Sequence, residues 1–222
     1  INLKLHLGEV LAVMGEHGSG KSSLIWAIHG LGKRTGGSVN SPWGDPLSLS
    51  NEERLGAITL VPQKASDLLF LNSLAEELQE SDTVAQVPPT STASLFAQFA
   101  GRVDPRKHPR DLSAGQQLAL VLAVQLVKGA RVVLLDEPTR GLDYEAKRAL
   151  ARIIEKLKDE GKGVVLASHD IEFVAMLATR VLVLDSGRIV EEGTPQALFA
   201  DGRTLASQTS LALATPGLVS VD

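Results

Sequence analysis

The sequence predicts an α/β fold in which a mostly parallel sheet is covered by helices on both faces, and two observations support this. Short continuous apolar runs alternate along the chain with segments of helical periodicity, which is the pattern of successive βαβ units. Several of these apolar runs lack the polar alternation of a half-exposed strand, so we expect the strands to be buried on both faces. The 222 residues suffice for one large domain or for a domain with a subdomain.

The predicted elements follow one another in a regular order. Strands are predicted at residues 1–10, 9–15, 56–63, 131–138 and 163–170, with a hairpin over 180–193 that turns at 185–187. Helices are predicted at residues 22–29, 113–128, 144–161 and 171–180, and one more is capped by Thr194 with Pro195 at its first position.

The region from about residue 64 to 127 breaks this alternation and predicts an inserted helical subdomain. Short helices are expected at residues 74–78 and 94–101. The stretch between them, 81–94, is rich in Ser, Thr and Pro, which predicts a mobile surface loop.

Composition argues against three features: a nucleic-acid partner, cysteine chemistry and a membrane-spanning helix. The formal net charge is −4 and basic residues are scattered apart from residues 106–110, so no nucleic-acid partner is expected. The chain has no cysteine, which excludes disulfides and thiol chemistry. The longest apolar run, residues 118–127, contains Gln125 and is about half a membrane span, so it predicts a buried helix.

Both ends of the sequence look cut. The chain opens inside an apparent strand with no Met, and it stops without a clear terminus. We expect a fragment or an excised domain, with the main domain at residues 1–204 and a C-terminal extension, itself truncated, at 205–222.

A glycine-rich segment between the first buried strand and the first helix matches the pattern G-x-x-x-x-G-K-[ST]. Glycines let several backbone N–H groups converge on phosphate oxygens, and the helix that follows adds the positive end of its dipole. Lys21 would bind the β- and γ-phosphates and Ser22 would ligate Mg²⁺. A chance glycine-rich turn is the alternative. The nucleotide-binding candidates here are Gly15, Glu16, His17, Gly18, Ser19, Gly20, Lys21, Ser22 and Ser23.

Two carboxylates, Asp136 and Glu137, end a predicted buried strand. Ligands of open α/β sheets bind at the carboxyl ends of the strands. Asp136 is therefore a candidate Mg²⁺ ligand, and Glu137 a candidate general base for an attacking water. A solvated strand end is the alternative reading.

The segment Leu112-Ser113-Ala114-Gly115-Gln116 resembles the LSGGQ signature of ABC (ATP-binding cassette) ATPases, with Ala114 in place of a glycine. A helix start capped by Ser113 is the alternative. The phosphate loop, Gln63, this segment, the acidic strand end and His169 follow the order of that family over about residues 1–200. The resemblance implies a P-loop NTPase core with an inserted α-helical subdomain and a truncated antiparallel β-subdomain.

The same resemblance implies roles for individual residues. Gln63 matches the glutamine that contacts Mg²⁺ and water, and Asp143 matches the aspartate that touches the partner's site. His169 matches the switch histidine that senses the γ-phosphate and so joins Glu137 as a catalytic candidate. Ser113, Gly115 and Gln116 would contact an ATP held by another cassette. The family's adenine-stacking aromatic residue would lie upstream of residue 1.

A narrower resemblance points to the ATPases of energy-coupling-factor (ECF) vitamin and cobalt/nickel importers, and within them to one half of a tandem ATPase. It rests on residues 136–150, 167–195 and 61–78. It implies an ATP-hydrolysing motor at the inner face of the cell membrane, in the cytoplasm, with integral membrane subunits and a second cassette as partners. A non-transport ABC ATPase and a non-hydrolysing structural cassette are the competing hypotheses.

Overall fold

A computed structural model describes residues 1–199, and within them six strands form one sheet. The strands are β1 (Val10–Met14), β2 (Ile58–Val61), β3 (Val132–Asp136), β4 (Gly163–Ala167), β5 (Arg180–Asp185) and β6 (Arg188–Gly193). Their spatial order is β2-β3-β4-β1-β5-β6. All neighbouring pairs are parallel except the hairpin β5–β6, which is antiparallel. The predicted mostly parallel sheet is confirmed.

The described residues also form eight α-helices. These are α1 (Lys21–His29), α2 (Asn51–Ala57), α3 (Leu74–Ala85), α4 (Ser91–Ala100), α5 (Ala114–Leu126), α6 (Tyr144–Asp159), α7 (Ile171–Leu177) and α8 (Pro195–Phe199). Short 3-10 turns lie at Ala65–Leu68 and Pro109–Asp111. Helices α3, α4 and α5 all fall between β2 and β3, where the sequence predicts an inserted helical subdomain. The predicted boundary at residue 204 lies outside the described residues.

Strand β1 occupies the middle of the sheet and is buried along its whole length. Its side chains alternate between two apolar layers, because successive residues of a strand point to opposite faces. Ala12 and Met14 belong to the layer that contains α5, α6 and α7, and Val13 packs with Ile25 of α1 in the other. This two-sided covering explains why the strands read as continuous apolar runs.

Helix α5 is the buried helix that the longest apolar run predicts. Leu120, Leu122 and Ala123 have no exposed surface, and Gln125 lies beside Thr59 of β2, with 2.5 Å between the side-chain oxygens. Among residues 1–199, no helix combines the length and the apolarity needed to cross a bilayer.

The prediction of a mobile surface loop at residues 81–94 is wrong. Most of this stretch is helical, with α3 running on to Ala85 and α4 beginning at Ser91. The reason is a buried polar contact that the composition does not reveal. Asp82 is 6% exposed and accepts hydrogen bonds from the Thr92 N–H at 2.8 Å and its hydroxyl at 2.6 Å. This contact fastens α4 to α3 and leaves only residues 86–90 as the connection.

The predicted strand at the start of the chain is also absent. Residues 1–6 form no strand, and a turn that includes Gly8 (φ +76°) separates them from β1. Side-chain contacts attach this segment instead. Arg180 donates to Glu9 Oε1 at 2.7 Å and to the carbonyl of Lys4, and the His6 N–H donates to Glu9 Oε2 at 2.8 Å.

We expect Thr92→Val to lower the free energy of unfolding by about 1–3 kcal/mol, because the buried Asp82 carboxylate loses a donor that Val cannot replace. Urea denaturation followed by circular dichroism measures this difference. Thr83→Val is the matched control, since the exposed Thr83 hydroxyl donates only to the carbonyl of Gln79, and its effect should stay within about 0.5 kcal/mol. Equal effects of the two substitutions would contradict the proposed role of Asp82.

Candidate functional site

Three neighbouring strands end at the same edge of the sheet, and each delivers part of the candidate site. The glycine-rich loop follows β1, Asp136 ends β3 with Glu137 after it, and His169 lies two residues beyond β4. Because β3, β4 and β1 are adjacent and parallel, their carboxyl ends meet. This edge is where open α/β sheets bind ligands.

The glycine-rich loop is packed against the sheet behind it. An added Cβ on Gly15 would lie 2.2 Å from the carbonyl oxygen of Leu184, so only glycine fits at this position. The loop also accepts a hydrogen bond from the β5–β6 turn, where the Gly187 N–H lies 3.0 Å from the carbonyl oxygen of Ser19. Gly20 has φ +104° and leads into α1 without any side-chain cap. The free N–H groups of the first turn of α1 are therefore available to an anion.

Lys21 lies inside this loop and is 7% exposed. Its ammonium group donates to the carbonyl oxygens of Gly15 at 2.8 Å and Glu16 at 2.9 Å. It also stands 3.9 Å from Glu137 Oε1. The loop thus surrounds a compact positive charge, the type of group that binds β- and γ-phosphates in loops of this pattern.

Asp136 and Ser22 form the candidate Mg²⁺ site. The Ser22 hydroxyl donates to Asp136 Oδ1 at 2.9 Å, and Asp136 is 3% exposed. Two hard oxygen atoms this close suit Mg²⁺, which typically takes one or two protein ligands together with phosphate oxygens and water. No cluster of three or more His, Cys, Asp or Glu side chains that could hold a metal occurs among the described residues. The pair of oxygens from Ser22 and Asp136 fits a metal that arrives with a nucleotide.

Glu137 and His169 are in direct contact. His169 Nδ1 lies 2.7 Å from Glu137 Oε2, and the glutamate side chain is 11% exposed whereas the histidine side chain is 68% exposed. Glu137 has φ +49°, which is uncommon outside glycine and is found often at functional sites. Its N–H donates to the Ala167 carbonyl at 2.9 Å. A shielded carboxylate therefore faces an accessible imidazole.

Gln63 lies just beyond β2, at the edge of the same set of strand ends, and is exposed. It borders an open cleft of about 150 Å³. The cleft is lined by Pro62, Gln63, Lys64, Ala65, Ser66, Ala114, Gln117, Leu118, Pro138, Arg140 and Leu142. The cleft thus lies between the end of β2, the start of α5 and the segment after β3.

The remaining candidates cluster at the starts of α5 and α6 and not around the glycine-rich loop. The hydrogen bonds of Ser113 and Gln116 are reciprocal and form a capping box. Asp143 Oδ1 accepts from the Ala146 N–H at 2.8 Å. An added Cβ on Gly115 would lie 2.9 Å from Cβ of Ala146, so the two helix starts are in close contact. Both readings of Ser113, as a cap and as part of a signature, therefore remain compatible.

Three comparisons with known proteins bear on this geometry. The family model described as ABC transporter matches residues 1–140. Over 212 residues the chain is 32% identical to the energy-coupling factor transporter ATP-binding protein EcfA of Methanothermobacter thermautotrophicus, covering 92% of this chain and 68% of that protein. The chain belongs to the ABC transporter ATP-binding family. The EcfA2 protein of Leuconostoc mesenteroides is 31% identical, over 90% of this chain and 73% of its own length.

Solved structures of ABC cassettes share the fold. The cbiO1 protein of Clostridium perfringens, described as part of the ABC transporter complex cbiONQ, superposes with a TM-score of 0.80 at 26% identity over 97% of this chain and 88% of its own. A dimeric ATP-binding cassette in a post-hydrolysis state, bound to ADP and Pi, gives a TM-score of 0.76 at 26% identity, over 88% and 89% of the two chains.

Some ABC relatives are much longer than this chain. A Streptomyces avermitilis protein described as an ABC transporter ATP-binding protein is 39% identical over 214 residues. That alignment covers 96% of this chain and 38% of the relative. The chain therefore spans less than two fifths of that protein.

Sequence reasoning missed two positioning contacts in this ABC cassette. The Gln117 amide donates to the carbonyls of Arg110 and Leu112, both at 3.2 Å, and so holds the backbone that leads into Ser113. Lys147 forms an ion pair at 2.6 Å with Asp170, the residue that follows His169. Lys147 and Asp170 are 23 residues apart, and the partners of Gln117 are backbone carbonyls, which every residue carries, so residue spacing signals neither contact.

We expect Gly15→Ala to destabilise the chain by at least about 1–3 kcal/mol, because the new Cβ would clash with the backbone of β5. Thermal unfolding and ATP binding measure the effect. The unfolding temperature and the affinity for ATP should both fall. Gly56→Ala is the control, since an added Cβ there meets no atom within 4 Å and the backbone is not left-handed. Its stability should stay unchanged or rise by up to about 1 kcal/mol. A neutral Gly15→Ala would contradict the close packing of the loop.

Proposed function

We propose that this chain is the ATP-hydrolysing cassette of an ABC-type membrane importer, which binds MgATP at an interface with a second cassette. The cargo is a small solute such as a vitamin or a cobalt or nickel ion. One observation carries the ATPase proposal. At one edge of the sheet the fold brings together the Lys21 ammonium group, the Ser22–Asp136 oxygen pair and the Glu137–His169 pair.

Each of these groups has a task in phosphoryl transfer to water. Lys21 binds the β- and γ-phosphates, where it exchanges carbonyl contacts within its own loop for phosphate oxygens. Ser22 and Asp136 would hold Mg²⁺, with Gln63 at the next strand end, and the metal would supply positive charge to offset that of the phosphates.

Glu137 acts as the general base for the attacking water. Its low exposure favours a defined orientation for accepting a proton from water, and its Oε1 stands 3.9 Å from the Lys21 ammonium group. His169 contacts this carboxylate and, being largely exposed, can also reach the γ-phosphate. The pair therefore links detection of the γ-phosphate to activation of water.

A second cassette completes the site. Within residues 1–199, Ser113 and Gln116 bond to each other, Asp143 bonds to the Ala146 N–H and Gly115 packs against Ala146. Because these contacts lie at the starts of α5 and α6, we assign these four residues to the nucleotide of the partner. The dimeric relative that was solved with ADP and Pi supports this assignment. ATP then holds the two cassettes together, and its hydrolysis releases them.

The partner cassette is either a second copy or a different sequence, on a separate chain or on the same one. The length of the Streptomyces avermitilis relative supports a tandem arrangement, because an aligned segment of 214 residues fills only 38% of it. The remainder is long enough for another cassette of this size.

The relatives, and not the site, support the importer part of this proposal. Two are named as energy-coupling factor transporter proteins, and a solved one is described as part of a transporter complex. We therefore place the chain in the cytoplasm, on the inner face of the cell membrane and bound to integral membrane subunits. The acidic net charge of −4 argues against a nucleic-acid partner.

We expect Glu137→Gln to reduce the turnover of ATP by about 10²–10⁴-fold while ATP affinity stays within about twofold, because the amide cannot accept the proton of water. Turnover is measured by phosphate release, binding by calorimetry, and association by sedimentation with and without ATP. ATP-stabilised association should persist in this variant.

Glu155→Gln is the matched control, because it removes an exposed carboxylate from the middle of α6, away from the helix start assigned to the partner, and should leave turnover unchanged. Lys21→Met should abolish binding itself, which separates loss of the nucleotide from loss of the base. Unchanged turnover in Glu137→Gln would refute the assignment of the base. Absence of ATP hydrolysis in the wild-type protein would instead favour a structural cassette.

We expect the full-length protein, purified from membranes in mild detergent, to retain hydrophobic integral subunits. Mass spectrometry should identify these subunits, and the purified complex should hydrolyse ATP when ATP and Mg²⁺ are added. A ribosome-enriched fraction from the same cells is the control. Recovery of the protein with ribosomes and without membrane subunits would overturn the importer proposal in favour of a non-transport ABC ATPase.

A further inference from the structure

An ion pair outside the nucleotide site holds the segment that carries His169. Lys147 Nζ donates to Asp170 Oδ2 at 2.6 Å, and Asp170 is the next residue after the histidine. The Asp170 side chain is 15% exposed and the Lys147 side chain 35%. The pair is therefore partly shielded from solvent, and it contributes more than a fully exposed pair would.

The backbone on both sides of His169 is hydrogen-bonded to neighbouring residues. Before it, the Ser168 N–H donates to the carbonyl of Val13 at 3.1 Å, and the Ser168 hydroxyl accepts from the Asp170 N–H at 3.0 Å. After it, Asp170 Oδ1 accepts from the Phe173 N–H at 3.0 Å and so begins α7. The two oxygens of Asp170 thus have separate tasks, one in capping α7 and the other in binding Lys147.

The charge on Asp170 is maintained by these partners. Burial acts to raise the pKa of this carboxyl group, but hydrogen bonds from Lys147 and the Phe173 N–H outweigh it and leave the pKa below its usual value. The carboxylate is therefore ionised at neutral pH and remains attracted to the ammonium group.

Lys147 belongs to the first turns of α6, the helix whose start carries Asp143. The Lys147 N–H donates to the carbonyl of Asp143 at 3.0 Å, and Asp143 also caps the helix through its side chain. Tyr144, at the first position of α6, is 75% exposed. One end of α6 is thus open to a partner, and one turn further on it is attached to the histidine segment.

We propose that Lys147 is a positioning residue for His169, which couples docking of the second cassette on the first turn of α6 to the contact between His169 and Glu137. This inference rests on the proposed function, in which Asp143 faces the partner. A shift of the helix start carries Lys147 and Asp170 with it, since α6 also packs against α7. Because one peptide bond separates Asp170 from His169, the imidazole moves relative to Glu137.

The test compares wild type with Lys147→Met, Lys147→Arg and Asp170→Asn in the full-length protein. For Lys147→Met we expect kcat to fall about 10- to 100-fold, the scale on which small misplacements of reacting groups act, while KM and ATP affinity stay within about twofold. Asp170→Asn should have the same effect, since asparagine still caps α7 but loses the ion pair. Lys147→Arg should restore most of the turnover.

Arg152→Met is the matched control, because it removes a positive charge from an exposed position of the same helix and should not alter kcat. A second readout does not depend on turnover. In a Glu137→Gln background, amide hydrogen exchange at residues 168–177 should slow when ATP brings the cassettes together, and Lys147→Met should abolish this slowing although association persists.

The outcomes are distinguishable. Wild-type kcat in Lys147→Met, an equal loss in Arg152→Met, or no rescue by Lys147→Arg would overturn the positioning role. Unchanged ATP-dependent protection of residues 168–177 in Lys147→Met would overturn it as well. A wild-type protein that binds ATP without hydrolysing it would overturn the proposed function, and the exchange measurement would still decide whether Lys147 couples docking to the histidine segment.

Discussion

The parallel pairing of β3, β4 and β1 is the constraint on which the candidate site depends. It continues one residue beyond β3, where the Glu137 N–H donates to the Ala167 carbonyl. Glu137 leaves this pairing with φ +49°, a conformation that only the surrounding structure can impose. The pairing thereby sets Asp136 beside the loop after β1 and Glu137 beside the histidine after β4. The core therefore holds the strand ends from which the candidate site is built.

The hairpin β5–β6 lies next to β1 and supports the phosphate loop from behind. The Leu184 carbonyl oxygen occupies the space that a side chain at residue 15 would need, and the Gly187 N–H binds the Ser19 carbonyl. The loop therefore cannot move closer to the sheet. A hairpin with no chemistry of its own thus contributes to the shape of the anion site.

The residues assigned to the partner's nucleotide form structural contacts in this chain. These contacts still leave them atoms that can bind a nucleotide. The Ser113 hydroxyl accepts the Gln116 N–H, and its own hydrogen can still be donated to a phosphate. Asp143 caps α6 through Oδ1, so Oδ2 remains available. Gly115 allows the close contact between α5 and α6 that places these two helix starts together. Capping and recognition are therefore compatible at these positions, which explains why the sequence supports both interpretations.

The sequence by itself determined the α/β class, the core strands and most helices, because apolar periodicity and caps are local signals. It also singled out Lys21, Ser22, Asp136, Glu137 and His169, since their chemistry follows from residue type and order. The tertiary structure alone decided that residues 81–94 are mostly helical, that the opening residues form no strand, and that Lys147 binds Asp170. These features depend on side chains that meet across long sequence separations or within buried polar contacts, and no local pattern encodes such partners.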